Sequence, residues 1–171
     1  SDTIIETDQE RPPRPSVREE QAVYLAPFYY GEIGVTNRLQ ELLDSPETRL
    51  APFRSVNWDA LLSQLTRDAA IELSSEQRVA VQTALTNKVT VLTGGPGTGK
   101  TVTMRTVITA LEALERRYAL SAPTGRAAKR LSEATDRPAK TVHRLLEYSP
   151  RHGFQRNEAN PLQIDCLIVD E

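Results

Sequence analysis

Gly94-Gly95-Pro96-Gly97-Thr98-Gly99-Lys100-Thr101 fits the spacing G-x-x-x-x-G-K-[ST] at every fixed position. Glycines at these positions let consecutive backbone N–H groups curl around an anion without Cβ clashes. A helix opening at Lys100 would turn its positive end toward that anion. Lys100 is the residue to reach the β- and γ-phosphates of a bound triphosphate. The Thr101 hydroxyl is the oxygen ligand that a hard Mg²⁺ ion prefers.

Such a loop needs carboxylates across the sheet. Cys166-Leu167-Ile168-Val169-Asp170-Glu171 offers four apolar residues and then two acids, at the strand end where open α/β sheets bind ligands. Asp170 would hold Mg²⁺ through its water shell. Glu171 would take a proton from the attacking water as general base, with Lys100 as its catalytic partner on the phosphates. Gln77 lies upstream of the loop, where a side-chain amide could read the donor and acceptor edge of adenine. It is equally the third residue of a Ser74-x-x-Gln77 capping box, and both readings stand. The implied ligands are ATP and Mg²⁺.

Residues 116–156 hold ten basic residues against three acidic ones, a net of +7, while residues 1–100 carry −4. A positive stretch inside an acidic chain suggests a polyanion-facing surface. Pro123, Thr124, Gly125 and Arg126 follow an apolar run directly, and the first N–H groups of the next helix could grip a backbone phosphate. Thr141 and His143 begin a further helix with the same chemistry, although His143 at such a position is also a common structural residue. With only Tyr148 and Phe154 as nearby stacking rings, grip on the backbone of single-stranded DNA is expected over reading of bases.

These groups need a scaffold. Val89–Thr93 is β-branched and apolar and predicts a buried strand before the loop. A helix is predicted over 100–116, with Met104, Val107, Ile108 and Leu111 on one face. Tyr118–Ala122 and Ile164–Val169 predict two more strands, with short helices over 125–134 and 141–148 between them. Strand and helix alternate, so the expected fold is α/β, a parallel sheet with right-handed crossovers. Upstream, Val35, Leu39, Leu42 and Leu43 share one helical face, as do Trp58, Leu61, Leu62 and Leu65 after an Asn57 cap; both read as packing faces. Arg11-Pro12-Pro13-Arg14-Pro15 reads as an extended linker, and Ile4-Ile5 as the tail of a strand. The expected divisions are a polar segment 1–20, a helical region 21–72 and an ATP-binding lobe 73–171.

The 171 residues carry a net charge of −2, which excludes a uniformly basic nucleic-acid binder. No apolar run is long enough to cross a membrane. The opening Ser1-Asp2-Thr3 shows no secretory leader, and a lone Cys166 suits a reducing cytoplasm. Nothing specifies an oligomeric state. The single methionine is Met104, and the apolar run Ile168-Val169 closes on Asp170-Glu171. Both point to a piece of a longer chain.

Taken in order, these stretches resemble the RecD-like DNA helicases of superfamily 1. Leu73-Ser74-Ser75-Glu76-Gln77 is similar to their adenine-reading Q motif, and 92–101 to motif I, the Walker A element. Ser121-Ala122-Pro123-Thr124-Gly125-Arg126-Ala127-Ala128-Lys129-Arg130-Leu131 resembles motif Ia, a single-strand DNA contact. Thr141-Val142-His143-Arg144-Leu145-Leu146 resembles motif Ib, and Val169-Asp170-Glu171 motif II. The resemblance implies an incomplete RecA-like P-loop NTPase lobe, ATP-driven 5′-to-3′ movement on single-stranded DNA, and service in DNA recombination and repair. It also implies a second RecA-like lobe, whose motifs are missing here; without that lobe's arginines the chain is not expected to unwind DNA alone. Two other readings remain: a P-loop ATPase that is not a helicase, and a non-catalytic module binding nucleotide or DNA.

Overall fold

The computed structural model describes residues 4–7, 22–95 and 97–170, with backbone only for 4–7 and 22–24. Contacts divide the chain into two units, Ser1–Pro46 and Glu47–Glu171.

In the first unit, β1 (Ile4–Thr7) and β2 (Ala22–Leu25) pair antiparallel, with Ile4 opposite Leu25. Helix α1 (Ala26–Asp44) follows, with Pro27 in its first turn, where no N–H is needed. The predicted helix forms, but its apolar stripe is not covered by any of the described residues. Val35, Leu39, Leu42 and Leu43 are 41–60% exposed, and no residue of α1 is buried.

The second unit begins with a 3₁₀ turn, Ala51–Arg54, and α2 (Trp58–Ala69). Asn57 caps α2 through its side chain, which accepts from the Ala60 N–H at 3.0 Å. Leu62 and Leu65 turn inward, and Trp58 stacks on the fully buried Phe53. These residues share one core with Leu73, Val81, Leu85, Val107 and Leu111. The expected helical region 21–72 is therefore shared between the units: 47–72 packs with the residues that follow it.

α3 (Ser75–Thr86) and α4 (Lys100–Ala113) flank the loop, and α4 buries Val107, Ile108 and Leu111 on the expected face. Then come β3 (Tyr118–Ala122), α5 (Gly125–Thr135), β4 (Ala139–Thr141), α6 (Val142–Leu145), a small hairpin of β5 (Tyr148–Ser149) and β6 (Gly153–Phe154), and β7 (Cys166–Val169). The sheet is parallel, in the order β4-β3-β7, so the α/β reading holds.

One strand differs. Val89–Thr93 forms no strand among the described residues, and β4 supplies the third strand instead. A strand is defined by its partner, and β-branched composition cannot supply one. Val91 is 81% exposed and, with Leu92 and Val79, lines an open groove of about 440 Å³ against α3.

At the amino edge of the sheet, Glu112 ties three elements together. It accepts from Arg137 at 2.7 and 2.8 Å and from the Tyr118 hydroxyl at 2.6 Å. That network clamps the start of β3. No helix among the described residues is long and apolar enough to cross a membrane.

Candidate nucleotide site and nucleic-acid edge

The loop 94–99 is shaped by backbone freedom and by Thr98. Gly97 and Gly99 adopt φ of +77° and +81°, values that L side chains resist. Gly99 is the N-cap of α4 and brings no side-chain cap, so the first N–H groups of that helix have no protein acceptor within the cap. The Thr98 hydroxyl donates to the Gly95 carbonyl at 2.9 Å. A Cβ on Gly94 would stand 2.6 Å from that hydroxyl. Lys100 folds back over the loop and donates to the carbonyls of Gly94 and Gly95, the latter at 2.9 Å. Its ammonium is thus held at the loop, with acceptors that a phosphate oxygen could replace. Thr101 is exposed in the first turn of α4. Pro96 lies outside the described residues.

Gln77 sits against the same loop. Its Oε1 accepts from the Ser74 N–H at 2.9 Å, and its own N–H donates to the Ser74 hydroxyl at 3.3 Å, completing the capping box. Its Nε2 donates to the Thr98 carbonyl in a long bond of 3.4 Å.

The strand register aligns the remaining candidates. Val169 stands opposite Ser121, and Ala122 opposite Thr141. The Asp170 N–H extends the ladder by one bond, to the Ser121 carbonyl at 3.0 Å. Asp170, the turn after Ala122 and Thr141 therefore share the carboxyl edge of the sheet. α4 packs on this sheet through a core that includes Cys166 and Ile168. Burial raises the Cys166 thiol to about 11 and keeps it neutral. Glu171 lies outside the described residues. Among the described residues no three His, Cys, Asp or Glu side chains gather as a metal cage. Mg²⁺ bound with a nucleotide does not need one, since it takes one or two protein oxygens beside phosphates and water.

Pro123, Thr124, Gly125 and Arg126 are all exposed. Thr124 caps α5 by accepting from the Ala127 N–H at 3.2 Å, and Thr141 caps α6 by accepting from the Arg144 N–H at 3.2 Å. Each hydroxyl keeps its own hydrogen to donate outward. His143 is exposed and set edge-on to Tyr148, with ring centres 5.3 Å apart and 5.7 Å from Phe154. Four of the ten basic residues are neutralised at home: Arg117 by Asp165, Lys129 by Glu133, Arg137 by Glu112 and Arg156 by Glu147. Arg126, Arg130, Lys140, Arg144 and Arg151 are exposed and form no ion pair among the described residues.

Two features escaped the sequence. One is Thr98 as the hub of the loop, for which no signal exists at a variable position of the pattern. The other is the gathering of His143 with Tyr148 and Phe154, which the Gly153 turn, at φ +68°, makes possible.

Residues 77–171, more than half of the chain, match the AAA domain family. The chain belongs to that family. Its likeness to RecD-like helicases also holds. Over 99 residues it is 50% identical to the ATP-dependent RecD2 DNA helicase of Deinococcus radiodurans, covering 58% of this chain and 14% of that protein. It is 44% identical over 119 residues to the RecBCD enzyme subunit RecD of Mycobacterium tuberculosis, covering 56% and 21%. The RecBCD enzyme subunit RecD of Haemophilus influenzae is 37% identical over 125 residues, covering 58% and 20%. This AAA domain chain therefore spans 14–21% of the length of these three relatives.

Proposed function

We propose that this chain is the ATP-binding part of a RecD-like DNA helicase. The observation that carries the reading is the loop itself: an α4 N-terminus with no side-chain cap, two glycines at positive φ, and a lysine ammonium held at the loop carbonyls. Lys100 exchanges those carbonyls for β- and γ-phosphate oxygens. The N–H groups of 97–101 cradle the same phosphates. Thr101 and Asp170 are the protein oxygens offered to Mg²⁺, which when bound neutralises charge on the phosphates. Glu171 orients the attacking water and takes its proton.

Arg126, Arg130, Lys140, Arg144 and Arg151 are exposed and form no ion pair among the described residues, and Arg126 and Arg144 lie in the helices that Thr124 and Thr141 cap. They support a grip on the phosphates of single-stranded DNA, with Pro123, Gly125 and His143 lining the path. In the full motor, ATP turnover would drive movement along that strand, in the cytoplasm, in recombination and repair. Taken alone, the 171 residues would bind both ligands without unwinding DNA, because turnover in such a motor needs an arginine supplied in trans by a second lobe. Titration of the chain with ATP and Mg²⁺ tests the nucleotide half. Lys100→Ala should weaken ATP by roughly 10- to 100-fold, the worth of a charge-assisted contact, with single-strand binding unchanged. Unaltered ATP affinity in that variant would remove the nucleotide reading.

A further inference from the structure

Gln77 makes more contacts than a helix cap needs. Its Oε1 and its own N–H close the capping box with Ser74, which satisfies the end of α3. Its Nε2 then crosses to the loop and donates to the Thr98 carbonyl. The next residue, Gly99, lies so close that a Cβ there would overlap the Gln77 Nε2. Gly99 in turn starts α4, because its carbonyl accepts from the Thr103 N–H at 3.0 Å and from the Thr103 hydroxyl at 3.2 Å. The hydroxyl of Thr98 braces the other side of the loop through Gly95. One amide therefore joins a rigid helix end to the two residues that decide where the α4 N–H groups point.

We propose that Gln77 is a positioning residue for the phosphate loop, setting the direction of the Thr98–Gly99 backbone for any polyphosphate, whatever base it carries. The proposal rests on the nucleotide reading above for its consequence, but the contact itself belongs to the free protein. Glutamate at this position keeps the reciprocal cap, since its carboxylate accepts from the Ser74 N–H. It cannot donate to a carbonyl, so the link to the loop is lost alone. Methionine has similar length, carries no charge and loses both links.

Two measurements on the whole 171-residue chain test this. Amide hydrogen exchange without ligand should show Gln77→Glu leaving 75–86 as protected as before. Exchange over 98–104 should rise by about three- to tenfold, the worth of one net hydrogen bond. Unchanged exchange over 98–104, or an equal rise in both segments, would overturn the proposal. Binding of inorganic tripolyphosphate, which has no base, should weaken by a similar factor of about three to ten in the neutral Gln77→Met variant. Full tripolyphosphate affinity in that variant, with a loss confined to ATP, would overturn the proposal and leave the amide to adenine. Failure of the unaltered chain to bind ATP or tripolyphosphate would end the nucleotide reading, and the exchange result would still decide whether Gln77 holds the loop.

Discussion

The phosphate loop and the carboxyl-edge turns are both helix N-termini, and they are built oppositely. α4 begins on a glycine with no side-chain cap, whereas α5 and α6 begin on threonines that cap their own N–H groups. An uncapped terminus leaves its donors for a ligand; a capped one has already used a donor on itself. The first arrangement suits an anion that is enfolded. The second suits an anion that passes by, touching an outward hydroxyl and the exposed charges of Arg126 and Arg144. Under the proposed function, that single difference in capping would separate tight binding of one polyphosphate from looser holding of a long strand.

The glycines of the two termini offer the strongest way to break the comparison. Gly97 has φ of +77° with nothing within 4 Å of an added Cβ, so alanine there meets only backbone strain. That strain is about 1–2 kcal/mol in the left-handed region. Gly97→Ala should therefore weaken ATP by roughly tenfold. Gly125 opens α5 with ordinary helical backbone and open space around it. Gly125→Ala keeps the backbone N–H that would face the strand, so it should weaken DNA binding far less than Gly97→Ala weakens ATP binding, and be slightly more stable, by about 0.5–1 kcal/mol. Calorimetry and thermal melts of both variants check this. Equal damage at the two positions would mean that the termini are not built differently.

Salt offers a finer test of the second terminus. If Arg144 meets a phosphate of the passing strand, Arg144→Ala should flatten the plot of log affinity against log salt by about 0.7 for single-stranded DNA. Overall weakening should be only a few-fold, the worth of an exposed charge. An unchanged slope would move the strand away from α6.

The same contrast explains what could be read in advance. The loop 94–101 and the capping box at Ser74 are local, because the geometry is written in adjacent residue types. α4 was legible because its apolar face, Met104, Val107, Ile108 and Leu111, is long enough to count. β4 was not, since Ala139-Lys140-Thr141 is too short to show any period and becomes a strand only beside β3. Val89–Thr93 failed in the other direction: it has the composition of a strand, but composition says nothing of which partner lies alongside. The stripe Val35, Leu39, Leu42 and Leu43 predicted the helix α1, yet none of the described residues covers it. Periodicity reports the conformation of a segment, whereas burial depends on what surrounds it. In the candidate site, the pattern marked the glycines and Lys100, but it fixes no residue type at Thr98, so neither the hydroxyl's bond to Gly95 nor the link to Gln77 could be read from it.

The smallest expected effect concerns the opposite edge of the sheet and asks whether the two ends are independent. The Arg137 guanidinium, hydrogen-bonded to Glu112, holds its carboxyl below the usual value of 4.5. A carboxyl lowered on folding stabilises the native state above the unfolded pKa, and that contribution is lost as pH falls through the folded value. Burial and the Glu112 contact raise Tyr118 to about 12. A phenol raised on folding stabilises fully below about pH 10, and the contribution is lost as pH rises through about 12. Glu112→Gln removes the charged partner of both. Its stability deficit in denaturant melts should be greatest near neutral pH and shrink as pH falls below 4.5. ATP affinity at pH 7 should stay that of the unaltered chain, since the clamp holds the start of β3 while the loop depends on Gln77, Thr98 and Gly99. A weaker ATP site in Glu112→Gln would show that the amino-edge clamp also positions the loop, through α4, whose last turn carries Glu112.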